Sequence, residues 1–271
     1  MFEVKEEDFL KLANYMMKEY GINLTKKKHL IQSRLNSVMA SGKFKDFHDY
    51  AEYICSGKAS QSDMRIIINK LTTNHTYFMR ENTHFDFFSN TVLPELEAKY
   101  AKKKSLSIWS AGCSSGQEPY TLSILLFEYF GAKRKDWDLR ILATDISNHV
   151  LSIAKKATYT EEDIKDVPME WRNKYMTRNG DSYTFIPEIR KNVIFREFNL
   201  MDPIKFKIPF DVIFCRNVMI YFENDTKHAL VNRFFDASNP GGYLMIGQSE
   251  TLNKGATKYT YISPATYRKE V

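Results

Sequence analysis

The sequence predicts an α/β domain that follows an all-α domain and contains a small antiparallel β-insertion. Three observations support this. Apolar residues repeat at the helical period from residue 1 to about 70, with no strand pattern. Strand-like and helix-like runs then alternate from about residue 85, and this alternation breaks after about residue 157. We place the helical domain at residues 1–72, a linker at 73–84 and the α/β domain at 85–271, with the insertion at about 157–192.

Four helices are expected in the helical domain. Gly21 closes the first, and Thr25 is the expected N-cap of the second. Lys27 and Arg34, seven residues apart, share a face of this second helix and lie close to other lysines. Taken alone, such a basic face indicates only a helix surface exposed to solvent.

The linker carries polar residues where a connecting helix would need periodic apolar ones. We therefore interpret residues 71–81 as a boundary segment that faces the α/β domain. Arg80 in this segment has two interpretations. It pairs with Glu81 or Glu118 on the surface, or its planar guanidinium binds a carboxylate of a ligand.

The stretch I-W-S-A-G-C-S-S-G-Q-E-P-Y, residues 108–120, predicts a buried strand, a turn of small residues and the start of a helix. Gly112 and Gly116 let the backbone approach a ligand closely, and Pro119 suits a first helical turn. The turn lacks the G-x-G-x-x-G spacing of dinucleotide-binding proteins. An ordinary connection between a strand and a helix is therefore the alternative to a binding site.

Asp145 follows the second predicted strand, residues 139–143, and adds weight to the binding site. A carboxylate at the carboxyl end of this strand can accept hydrogen bonds from both hydroxyls of a ribose. Later strands at 210–215 and 243–247, the second preceded by an Asn-Pro-Gly-Gly turn, complete an order typical of S-adenosylmethionine-dependent methyltransferases. Within the insertion, Asn179-Gly180 between two extended runs predicts a hairpin, and a long irregular excursion of the chain is the alternative.

Composition narrows the function classes. The net charge of +6 and the pI of about 9.0 favour an anionic partner. The three cysteines have no C-x-x-C spacing and the six histidines no paired spacing, so we expect no metal site. The sequence contains no apolar run of membrane-spanning length, and its first residues are acidic where a secretory signal would be basic. We therefore expect a cytoplasmic protein that does not insert into membranes.

Five stretches together resemble the CheR-type chemotaxis receptor methyltransferases, in the same order and spacing along nearly the whole chain. They are L-T-T-N-H-T-Y-F-M-R-E, I-W-S-A-G-C-S-S-G-Q-E-P-Y, A-T-D-I-S, F-N-L-M-D and F-D-V-I-F-C-R-N-V-M-I-Y-F. The resemblance implies a Rossmann-like S-adenosylmethionine-dependent methyltransferase domain with an inserted β-subdomain. It also implies transfer of the methyl group to glutamate side chains of chemoreceptors, which gives glutamyl methyl esters and S-adenosyl-L-homocysteine.

The resemblance also implies the site residues. Those expected to bind S-adenosyl-L-methionine are Asn74, Thr76, Arg80, Glu118, Asp145, Asn199, Leu200, Arg216 and Asn217. Arg80 and Tyr221 are expected near the transfer site. The alternative for Tyr221 is a core aromatic residue beside Ile220 and Phe222.

Partners follow from the same resemblance. The methylated regions of chemoreceptors are acidic bundles of cytoplasmic helices, so Lys27 and Arg34 become candidate substrate-binding residues. The insertion is shorter than in relatives that dock on a C-terminal pentapeptide of the receptor. We therefore expect direct recognition of the receptor helices by a monomer, without that tether.

Competing functions remain at this point. One is methylation of another protein or of a small anion, and another is a regulator that binds the cofactor without turnover. Nucleic acid is not an expected partner, because residues 215–218, C-R-N-V, stand where nucleic-acid methyltransferases usually carry an N/D-P-P-Y segment.

Overall fold

The computed structural model describes residues 2–253 and 255–270. From residue 2 to residue 72, four helices form the N-terminal domain: α1 (Glu6–Tyr20), α2 (Lys28–Met39), α3 (Phe47–Cys55) and α4 (Gln61–Leu71). Their apolar faces meet in one core that includes Phe9, Leu35, Ile54 and Ile67, all essentially inaccessible to solvent. Burial of these faces stabilises helices that would be too short to persist alone.

The ends of these helices test the predicted caps. Gly21 closes α1 in the left-handed conformation, with φ of 73°, which suits glycine because it lacks a Cβ. The predicted N-cap of α2 is wrong. This helix begins at Lys28 with Lys27 as N-cap, and the Thr25 hydroxyl instead donates to Asn23 Oδ1 at 2.7 Å. Thr25 lies two residues before the actual N-cap, because residues 24–27 first form a turn in which the Lys27 N–H donates to the Leu24 carbonyl.

In the part of the chain that the structure describes, ten strands form two sheets: β1 (Ile108–Ala111), β2 (Ile141–Asp145), β3 (Thr158–Thr160), β4 (Met176–Asn179), β5 (Ser182–Phe185), β6 (Val193–Glu197), β7 (Phe210–Cys215), β8 (Ser238–Ile246), β9 (Thr260–Ser263) and β10 (Thr266–Arg268). The large sheet has the order β6-β2-β1-β7-β8-β10-β9. Neighbouring strands are parallel from β6 to β8 and antiparallel from β8 to β9. The chain order reverses between β1 and β7, the place where open α/β sheets bind ligands. The predicted α/β fold is confirmed.

Helices cover both faces of the sheet: α5 (Thr83–Phe87), a π-helical turn (Phe88–Val92), α6 (Leu93–Lys99), α7 (Gln117–Phe130), α8 (Asn148–Lys156), α9 (Met169–Tyr175), α10 (Pro187–Lys191) and α11 (Asn224–Ala237). Side chains of a strand alternate between faces. Ile108 therefore joins the core beneath α7, whereas Trp109 joins the core beneath α11.

The insertion forms the second sheet, β3-β5-β4, in which both pairings are antiparallel. The predicted hairpin connects β4 to β5 through Gly180, whose φ is 63°. Two strand boundaries differ from the prediction. β2 spans Ile141–Asp145 rather than residues 139–143, and β8 begins at Ser238 rather than at residue 243 and absorbs the predicted turn, where its register with β7 shifts. Among the described residues, the helices lack the combination of length and apolar composition that a bilayer crossing requires.

Candidate functional site

A cavity of about 1140 Å³, including its open mouth, lies at the carboxyl ends of β1, β2 and β7. Eleven of the twelve predicted site residues line it: Lys27, Asn74, Thr76, Arg80, Glu118, Asp145, Asn199, Leu200, Arg216, Asn217 and Tyr221. Parallel strands end at one edge of a sheet, so residues that follow them in sequence converge there.

The end of α1 and its connection to α2 form another wall of the cavity, through Tyr20, Ile22 and Leu24. Three hydrogen bonds join this segment to the α/β domain, one of them from the Asn23 side-chain amide to Glu223 Oε1 at 3.1 Å. The Asn23 N–H donates to the Tyr221 carbonyl at 3.0 Å, and the Asn199 amide donates to the Glu19 carbonyl at 2.8 Å. Sequence reasoning missed this contribution, because the apolar pattern of the connection reads only as helical core.

The glycine turn after β1 is tied to the end of β2. The N–H groups of Gly112 and Cys113 both donate to the Thr144 carbonyl, at 2.8 and 2.9 Å. Asp145 accepts from the Ser114 N–H at 2.8 Å and from the Ser147 N–H at 2.9 Å. Burial raises the pKa of Asp145 above its ordinary value, although these N–H groups oppose the shift. The carboxylate is thus fixed at the edge of the cavity, where its remaining lone pairs can accept from a ligand.

An ion cluster forms part of the cavity wall, to which it contributes Glu118 and Arg216. The Arg216 guanidinium, with only 3% of its side chain exposed, lies 3.1 Å from Glu118 Oε2 and 3.2 Å from Glu81 Oε2. It also donates to the Arg80 carbonyl and lies 5.0 Å from the centre of the Phe85 ring. Burial by itself raises the pKa of Glu81, but its hydrogen bonds and Arg216 bring that pKa below its ordinary value. The sequence analysis considered Glu81 only as a surface ion-pair partner of Arg80, and it did not predict the contact between Glu81 and the buried Arg216.

Arg80 forms neither of the surface ion pairs that the sequence suggested. It donates to the His75 carbonyl at 2.9 Å, and its guanidinium lies 5.6 Å from the centre of the Tyr77 ring. These contacts hold the side chain along the cavity wall. A guanidinium in this position can bind an anionic group of a ligand.

Lys27 and Arg34, the two candidate substrate-binding residues of the helical domain, lie in different places. Lys27 is exposed, and its Nζ lies 5.4 Å from the centre of the Tyr221 ring on the cavity wall. Arg34 lies outside the cavity, and its guanidinium donates to the Thr72 carbonyl at 2.8 Å and to the Lys70 carbonyl at 3.3 Å. Arg34 therefore holds the end of α4 and the start of the linker, which its spacing from Lys27 did not indicate.

The donor set of the cavity fits a nucleoside with a charged amino-acid tail. A buried carboxylate, Asp145, suits a pair of ribose hydroxyls, and the apolar Leu200 and Phe198 suit the flat face of a base. Arg80 and Glu118 offer one charge of each sign for a zwitterionic tail. S-adenosylmethionine has each of these parts.

Comparisons with known proteins agree with this chemistry. The family profile described as "CheR methyltransferase, SAM binding domain" matches residues 74–268, and "CheR methyltransferase, all-alpha domain" matches residues 7–72. The chain is 42% identical to a chemotaxis protein methyltransferase of Borreliella burgdorferi over 98% of this chain and 95% of that protein. It is 34% identical to chemotaxis protein methyltransferase 1 of Pseudomonas aeruginosa, over 94% of each chain. Identity to chemotaxis protein methyltransferase 2 of Vibrio cholerae is 31%, over 93% of this chain and 88% of that protein.

Proposed function

The chain belongs to the CheR methyltransferase family, and from that premise we propose that it methylates glutamate side chains of chemoreceptors, forming glutamyl methyl esters. One observation carries the assignment of the acceptor. Tyr221 and Lys27 lie on the wall of the same cavity as the proposed cofactor ligands Asp145 and Glu118. A hydroxyl and an ammonium beside the cofactor site suit an anionic acceptor such as a carboxylate.

The acceptor chemistry needs no general base. A glutamate side chain has a reference pKa of about 4.3, so it is already an ionised nucleophile at neutral pH. Bound S-adenosylmethionine supplies an electrophilic methyl group and a neutral leaving group. The remaining task of the protein is alignment, and positioning of reactants can contribute about 7 to 11 kcal/mol to catalysis.

We assign the proposed cofactor ligands by their chemistry. Asp145 accepts from the ribose hydroxyls, and Leu200 and Asn199 border the adenine. Glu118 and Arg80 bind the charged groups of the methionine tail. The remaining proposed ligands, which complete the binding surface, are Asn74, Thr76, Arg216 and Asn217.

On the acceptor side, Tyr221 donates a hydrogen bond that orients the substrate carboxylate, and Lys27 attracts its negative charge. Arg80 lines the same cavity, and its positive charge favours a negative charge at the transfer site. The ammonium of Lys27 is exposed, and exposed charges are screened beyond about 8 Å at physiological ionic strength. Methylation should therefore weaken as salt is added.

The test is incubation with methyl-labelled S-adenosylmethionine and membranes that contain chemoreceptors, followed by mild alkali. Label released as methanol identifies a carboxyl methyl ester and supports the proposal. Label that resists alkali places the acceptor on nitrogen or another atom and contradicts it. In the same assay, Tyr221→Phe and Arg80→Ala should lower the rate. Tyr261→Phe is the matched control, because Tyr261 is 60% exposed on β9 and does not line the cavity.

Receptor recognition is the remaining part of the proposal. We assign it to direct contact with the cytoplasmic helices of the receptor by a monomeric, cytoplasmic enzyme, without a pentapeptide tether. Calorimetric titration with a C-terminal receptor pentapeptide tests the second point. Binding with a micromolar Kd would contradict it.

A further inference from the structure

The loop between β7 and α11 carries three of the proposed site residues, Arg216, Asn217 and Tyr221, so its position decides where they lie. Glu250, from the connection that follows β8, reaches beneath this loop and is 2% exposed. Its Oε2 accepts from the Asn217 N–H at 3.0 Å and from the Gly247 N–H at 2.6 Å. Its Oε1 accepts from the Ile220 N–H at 3.0 Å. One buried carboxylate thus holds the loop at two points, near its start and at its middle.

The packing around this carboxylate leaves the loop little freedom. A Cβ added to Gly247 would lie 2.6 Å from Asn217 Nδ2 and 2.8 Å from Asn217 N, so only glycine permits this approach. Asn217 itself has φ of 57°, a left-handed conformation that non-glycine residues seldom adopt. On its other side the loop contacts the glycine turn, since a Cβ on Gly112 would lie 2.3 Å from Val218 Cγ2. A shift of the loop would therefore move it against the proposed cofactor site.

We propose that Glu250 is a positioning residue for methyl transfer, whose carboxylate sets the place of Asn217 and Tyr221 relative to the glycine turn. This inference rests on the proposed function, because Tyr221 is the proposed ligand of the acceptor. An ionised carboxylate accepts hydrogen bonds on both oxygens and donates none, which suits three converging N–H groups. In a Glu250→Gln variant, the NH₂ group of the amide would face a backbone N–H, either that of Ile220 or those of Asn217 and Gly247. Two donors would then meet, and the hydrogen bonds on that side of the carboxylate would be lost.

The test compares Glu250→Gln with Asp211→Asn. Asp211 is a matched control, because it is also a buried carboxylate and it lies on β7 at the opposite end of the strand. It accepts from the Ser107 N–H at 2.8 Å and from the Tyr100 hydroxyl at 2.6 Å. Both variants should lower the melting temperature. Only Glu250→Gln should alter the loop at residues 216–222.

Two measurements separate positioning from general destabilisation. In Glu250→Gln, amide hydrogen exchange across residues 216–222 should become at least about tenfold faster, while exchange in residues 112–118 stays at the wild-type rate. The kcat, calculated per protein molecule that binds the cofactor, should fall by about 10- to 100-fold. The reason is that misplacing a group at the reaction centre by about 1 Å slows the reaction by about that factor. The cofactor Kd should rise by a smaller factor than kcat falls. Asp211→Asn should keep the wild-type kcat per cofactor-binding site and the wild-type exchange in the loop.

A folded Glu250→Gln protein with wild-type exchange in residues 216–222 would overturn the proposal. Equal losses of kcat in both variants would also overturn it. If Glu250→Gln does not fold, Glu250→Asp decides, since it keeps the charge but shortens the side chain by one methylene. We then expect faster loop exchange with cofactor binding retained, and unchanged exchange refutes the inference. The exchange readout needs no acceptor, so a wild-type enzyme that leaves receptor glutamates unmodified would refute the proposed function without deciding this one.

Discussion

Replacement of Arg216 by alanine should cause a large loss of stability, because it leaves two carboxylates without their cation. Only 3% of the Arg216 side chain is exposed, and Glu81 and Glu118 are each 14% exposed. Removal of one partner of a buried ion pair costs about 3 to 5 kcal/mol. In a chain of this size each kcal/mol lowers the melting temperature by about 2 to 4 °C. We therefore expect the melting temperature to fall by about 6 to 20 °C at neutral pH.

The stability lost on replacement of Arg216 should also depend on pH, and the ionisation of Glu81 determines whether the loss grows or shrinks as pH falls. In the wild-type protein the pKa of Glu81 is lowered, so its contribution to stability is present at neutral pH and disappears only as pH falls through that lowered value. Without Arg216 an important cause of the lowering is gone, whereas burial, which raises the pKa, remains. Protonation then relieves the repulsion at a higher pH. The stability difference between wild type and Arg216→Ala should therefore narrow from pH 8 to pH 5.

Urea unfolding followed by circular dichroism at pH 5 and pH 8 measures both effects. Arg65→Ala is the control, because the Arg65–Glu197 pair has a similar distance of 2.9 Å but side chains that are 39% and 41% exposed. Exposed pairs contribute about 0.2 to 1 kcal/mol. A loss below about 1 kcal/mol for Arg216→Ala, or an equal loss at both pH values, would refute the reasoning.

The remaining predictions concern the cavity and the helical domain. Gly112→Ala should abolish cofactor binding measured by calorimetry, because the added Cβ would lie 2.3 Å from Val218 Cγ2 and the residue would have to keep a φ of 81°. Gly180→Ala is the control, because its φ is also positive, at 63°, but the space around it is open. This variant should bind the cofactor normally and lose only about 1 to 2 kcal/mol of stability. Lys27→Ala should raise the KM for receptor in low salt without changing the melting temperature. Arg34→Ala should lower the melting temperature, because its hydrogen bonds hold the linker, and a wild-type melting temperature would contradict this.

Local patterns in the sequence were sufficient for the fold class. The period of apolar residues separates helices from strands, and the small residues after β1 mark the turn that faces a ligand. The same patterns place Asp145 and Arg216 at the carboxyl ends of buried strands. Parallel strands end at one edge, so convergence of these residues on one cavity follows from chain order alone. Helix caps were less predictable, as Thr25 illustrates, because a hydroxyl can bond to a nearby side chain instead of capping a helix.

Tertiary structure decided which charges meet. Arg216 lies 98 residues from Glu118 and 135 from Glu81 along the chain, and no local pattern specifies such a contact. The spacing of Lys27 and Arg34 in the sequence indicated one shared helix face, and both were candidate substrate-binding residues. In the structure only Lys27 lines the cavity. Arg34 instead donates to the Thr72 carbonyl, just after the end of α4. Glu250 shows the same limit, since its role arises when a connection after β8 passes beneath a loop after β7. Local sequence sets conformation and the order of elements, whereas pairing of distant polar groups depends on how those elements pack.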